Sequence, residues 1–116
     1  MHLSHEEYVA NQRMKVVNIA SDVIEGKRSI LLAAQQITQL RFEIDLNEDN
    51  EDLLVFVAID SECDSLPIGP DKEYWDKDSL KKKEKEIKET EEWALSIGTN
   101  ACNNLIARFS KKNTST

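Results

Sequence analysis

Three short groups of residues in this chain could do chemistry. Asp45, Asn47 and Asp49 have the D-x-N-x-D spacing that opens a calcium-binding loop, in which alternate oxygens surround a hard cation. Such a loop also needs glycine at its sixth position and a bidentate glutamate at its twelfth. Those places hold Asn50 and Phe56, so the cation would lack two of its oxygens. Glu62 and Asp64 flank Cys63, and two carboxylates beside a thiol can serve acid–base or metal chemistry. No histidine lies nearby in sequence, and nothing marks a base able to activate the thiol. His2 and His5 could touch one ion together, but two ligands near a chain terminus make a poor site. There is no glycine-rich phosphate loop, no G-x-S-x-G and no basic aromatic patch. The expectation is a protein without catalytic residues, metal site or cofactor.

Charge is distributed more informatively than chemistry. The chain has 116 residues and a net charge of −7, enough length for one domain and one core without disulfide staples. Residues 43–78 carry thirteen acids against only Lys72 and Lys77, whereas the segments on either side are slightly basic. A field of that kind repels nucleic acid and attracts basic protein surfaces. No apolar run approaches the roughly 20 residues of a membrane span, and the N-terminus lacks the blocks of a secretory signal. Cys63 and Cys102 fit no disulfide framework or zinc spacing, so two buried, reduced thiols in a cytoplasmic protein are expected.

The elements that must position these residues are mostly helical. Ser4 and Glu7 have the spacing of a capping box. Val9, Val16, Ala20, Val23 and Ile24 then recur at helical intervals. Gly26 suits the left-handed end of that helix. A second helix, rich in alanine, leucine and glutamine, runs through Ile30 to Arg41, and so short a turn predicts an antiparallel hairpin. Residues 47–52 read as a loop. Leu53 to Ile59 is apolar at every position and is ambiguous. Alternation of Val55, Val57 and Ile59 after Phe42, Ile44 and Leu46 allows a β-hairpin over 42–59. Asn50 followed by Glu51 and Asp52 instead offers a cap and first-turn acids, and the helix is favoured because its neighbours are helical.

Pro67, Gly69 and Pro70 require a loop between Asp64 and Asp76, after which Asp76 or Asp78 caps a long final helix. Its first half is charged, with Glu84–Lys88 and Lys85–Glu89 four apart and Lys81, Lys82, Lys83 and Lys85 on a solvated face. Its second half is apolar. Leu80, Ile87, Ala94 and Ala101 form a stripe of period seven, Gly98 permits close helix approach, and Trp93 reads as a core-edge residue. The expected fold is an all-α, four-helix-bundle-like single domain over residues 1–110, followed by a disordered tail at 111–116. The alternative is an α+β fold with a small hairpin.

Ser61, Glu62, Asp64, Leu66, Pro67, Gly69 and Trp75 spell S-E-x-D-x-L-P-x-G followed by a tryptophan. This string resembles a group of small uncharacterised bacterial proteins predicted to be helical, a resemblance that implies the fold but no activity. In size, acidity and helicity the chain is similar to immunity proteins that neutralise bacterial toxins. The leading expectation is therefore a protein-binding module, an immunity protein or antitoxin facing a basic toxin. Its expected contacts are Glu48, Asp49, Glu51, Asp52, Glu62, Asp64, Tyr74 and Trp75, acids that steer and aromatics that anchor. Neither nucleic acid nor membrane is an expected partner. One rival is an enzymatic or metal-binding bundle with Asp60, Glu62 and Asp64 turned inward, although neither histidine fits a Glu-x-x-His motif. Another is a structural protein that forms a homodimer through the Leu80–Ala101 stripe.

Overall fold

The computed structural model describes residues 4–47, 49–64, 66 and 76–110. Four helices follow in order, α1 (His5–Ile24), α2 (Ile30–Leu40), α3 (Glu51–Glu62) and α4 (Lys77–Ser110), with no strand among the described residues. Each start is set by a short polar side chain that satisfies an otherwise orphaned N–H group. Ser4 Oγ accepts from the Glu7 amide at 3.1 Å, and Ser29 Oγ accepts from the Leu31 amide at 3.2 Å. Asn50 Oδ1 accepts from the amides of Asp52 and Leu53. Asp76, not Asp78, caps α4 by accepting from Ser79 at 2.7 Å, and these hydrogen bonds hold its carboxyl below the usual range. Gly26 ends α1 at φ 76°, a conformation that requires its missing side chain.

The apolar run 53–59 is helical. Leu53, Phe56, Ile59 and Cys63 point inward at helical intervals, while Leu54 and Ala58 face out. The hairpin over 42–59 is excluded. α1 contributes Val16, Ile19, Ala20 and Val23 to the same core, α2 contributes Ile30, Leu31, Ala33, Ala34 and Ile37, and α4 contributes Ala94, Ala101, Cys102, Leu105 and Phe109. Both cysteines are buried and free. Leu66 is also buried there.

The helices alternate in direction. Arg13, early in α1, stacks over Phe109 at the end of α4, whereas Val23 lines a cleft with Glu91 and Leu95. Asp52 at the start of α3 meets Asn104, and Ile59 near its end lies against Gly98. Both α1 and α3 therefore run antiparallel to α4 and flank it, with α2 between them on the other side. At Gly98 the helices approach closely. A Cβ there would lie 2.5 Å from Ile30 Cδ1 and 3.3 Å from Ile59 Cδ1. The 34 residues of α4 extend about 51 Å, against about 30 Å for the 20 of α1, so its first turns reach past α1. Ala94 and Ala101 are spent on the core of the same chain, which leaves only Leu80 and Ile87 of the period-seven stripe partly open. No described helix is long and apolar enough to cross a membrane.

Candidate functional site

The acidic segment is divided between the two ends of α3, and the ends differ in kind. At the N-terminus, Glu51 and Asp52 occupy the first turn, where a negative charge complements the helix dipole by about 0.3–1 kcal/mol each. The Asp49 amide donates to Asn47 Oδ1 at 2.9 Å, a local turn that leads into the Asn50 cap. Asp52 is only 7% exposed and accepts from Asn104 Nδ2 at 3.0 Å. It joins α3 to α4, so among the expected contacts it is the one described residue whose side chain is buried within the bundle. Glu51 and Asp52 thus both favour the fold.

The C-terminus of α3 has no such account. Asp60, Glu62 and Asp64 crowd the negative end of the dipole, and the last turn contains no basic residue. Burial, and then the charge of Asp64, raise the carboxyl of Asp60 above its ordinary value. Cys63 lies among them, 3% exposed. Burial, then the three carboxylates, push its thiol up to about 11, which keeps it protonated at neutral pH. Cys102 is pushed up to about 11 by burial alone. Glu62 and Asp64 are exposed and Asp60 is half-buried, so the carboxylates do not converge inward as a metal-binding bundle would need. Among the described residues no group of three or more His, Cys, Asp or Glu side chains is placed to hold a metal ion.

Across from these acids stands α4. Glu62, Glu89, Thr90 and Trp93 line a shallow depression of about 330 Å³. Trp93 is 40% exposed, and Ile97, one turn further along the same face, is exposed as well. The structure thus joins Glu62 to an aromatic residue that is not among those expected. Comparison with known protein families, curated proteins and solved structures returns no match.

A large aromatic sits beside a depression, an aliphatic side chain extends the apolar surface, and Glu62 and Glu89 provide a charged rim. The expectation for Trp93 as a core-edge residue understates its exposure. A signal was present: Ala94, Gly98, Ala101 and Leu105 form the buried stripe, and 93 and 97 fall just off it. Of the expected contacts, Asp49 and Glu51 are exposed at one end of α3, and Glu62 and Asp64 are exposed at the other. Eleven residues separate Glu51 from Glu62, about 17 Å along the helix, so they do not form one surface patch. Glu48, Tyr74 and Trp75 lie outside the described residues.

Proposed function

We propose that this protein binds a basic protein partner through the C-terminal end of α3 and the adjacent face of α4, as an immunity protein or antitoxin would bind a cationic toxin. One observation carries the reading. Asp60, Glu62 and Asp64 are placed where they oppose the helix that bears them, and no basic side chain of that last turn relieves them. A cationic surface docked there would supply the missing counter-charge, and Trp93 would give it an apolar anchor. Local choices that conflict with the fold are expected at functional sites. The long-range field of residues 43–78 supports the same reading, because it would accelerate encounter with a basic partner.

The test is affinity capture of partners from the native host, followed by calorimetry at low and high salt. The reading expects a partner of net positive charge, weaker binding at high salt, and loss of binding on Trp93→Ala and on Glu62→Lys. A partner whose affinity ignores both substitutions would overturn it, as would recovery of none.

A further inference from the structure

A second concave site lies at the opposite pole, about 24 Å away if measured along α4 from Trp93 to Phe109. There the connection between α2 and α3 folds back over the first turns of α1. Arg13 holds it in place, its Nε donating to the Ile44 carbonyl at 2.8 Å and its Nη2 to that of Asp45 at 3.2 Å. Gln12 Nε2 donates to Glu43 Oε2 at 2.6 Å and also reaches the Tyr8 hydroxyl. These bonds set a cleft of about 200 Å³ lined by His5, Tyr8, Val9, Phe42, Glu43 and Asp45.

The lining is selective in its chemistry. Tyr8 is 41% exposed and Phe42 is 62% exposed, while Val9 is buried beneath them. Neither Glu43 nor Asp45 has a cationic side chain within ion-pair distance among the described residues. Arg13 is turned to backbone carbonyls and to the face of Phe109, 5.2 Å from its centroid. The nearby ring of Phe42 already attracts one guanidinium, that of Arg41 at 4.3 Å from its centroid. Aromatic faces and carboxylates around a small cleft complement a compact organic cation, which gains ring attraction and charge pairing together.

We propose that this cleft binds an organic cation of the alkylammonium or guanidinium class, held by Tyr8 and Phe42 and charge-paired by Glu43 and Asp45. The site is independent of the α3–α4 surface and shares no residue with it. An NMR titration of the full chain tests it, with tetramethylammonium chloride in one arm and Nα-acetyl-lysine methylamide in the other, against sodium chloride at matched ionic strength. The expected result is saturable shifts at His5, Tyr8 and Phe42 with a dissociation constant on the order of millimolar, as befits so small a ligand. Tighter binding of tetramethylammonium assigns the cleft to a free methylated cation, and tighter binding of the lysine analogue assigns it to a side chain carried by a protein. Phe42→Ala and Asp45→Asn should each weaken binding about two- to fivefold, while Trp93→Ala leaves it unchanged. Asparagine tolerates the left-handed backbone of Asp45, φ 52°, so that variant removes charge and keeps the loop. Shifts that match those of sodium chloride, or an affinity indifferent to both variants, would overturn the proposal.

Discussion

If the acids at the end of α3 are held against the preference of the helix, replacing them should make the free protein more stable. Glu62 and Asp64 are exposed, and each is placed at or just past the last turn, where a negative charge is unfavourable by about 0.3–1 kcal/mol and a positive one favourable by as much. The double charge reversal Glu62→Lys/Asp64→Lys should therefore stabilise by about 1–2 kcal/mol, near the bottom of the summed range of about 1.2–4 kcal/mol because both residues are wet. For a domain of this size unfolding entropy is about 0.2 kcal/mol per degree, so Tm should rise by about 4–8 °C. Glu51→Lys is the matched control. It places the same reversal in the first turn of the same helix and should lower Tm by a few degrees. Thermal unfolding by circular dichroism at low salt reads both, and about 0.5 M salt should shrink both shifts, since the Debye length then falls to roughly 4 Å. A double variant that melts at or below the unaltered protein, while Glu51→Lys behaves as expected, would refute the argument that these acids are unfavourable where they stand. That refutation would also remove the main support for the proposed interface.

Other consequences follow from single contacts. Asn104→Ala removes the amide that Asp52 accepts from and leaves a buried carboxylate short of a donor, so urea unfolding should show a loss of about 1–3 kcal/mol. Asp60 has a folded-state pKa raised above its unfolded value, so its protonated form stabilises the fold at acid pH and that stabilisation is lost as pH rises through the folded pKa. Asp60→Asn should accordingly be more stable than the unaltered protein at neutral pH, with the gap closing below pH ~4. Equal stability of the two across that range would contradict the shift. Cys63 and Cys102, buried and with thiols near 11, should resist a neutral-pH thiol reagent in the native state and react together once urea unfolds the chain. Rapid native labelling of either would show an opening that the fold does not display.

Much of this molecule is written in local sequence. Ser4, Ser29, Asn50 and Asp76 cap their helices because a short side chain reaching the next free amides is a property of a few consecutive residues. Gly26 ends α1 for an equally local reason. The charge of residues 43–78 is visible by counting, and so is the absence of a bidentate glutamate from the D-x-N-x-D stretch. Leu53 to Ile59 was undecidable in isolation, since a run that is apolar at every position has no period. It became a helix because its inward residues meet a core made by three other helices.

Packing decided what each acid and aromatic is for. Asp52 and Glu62 look alike in sequence, yet one is buried against Asn104 and the other faces solvent beside Trp93. Which face of α4 meets α3 depends on the close contact at Gly98, more than thirty residues from Glu62, and no local pattern contains that register. The sequence alone determined α1, α2 and α4, the cap of α1 at Ser4 and the location of the negative charge. Only the tertiary structure made residues 53–59 a helix, buried Asp52 against Asn104 and set Glu62 beside Trp93, because a run without a period takes its conformation, and a side chain its burial, from neighbours distant in sequence.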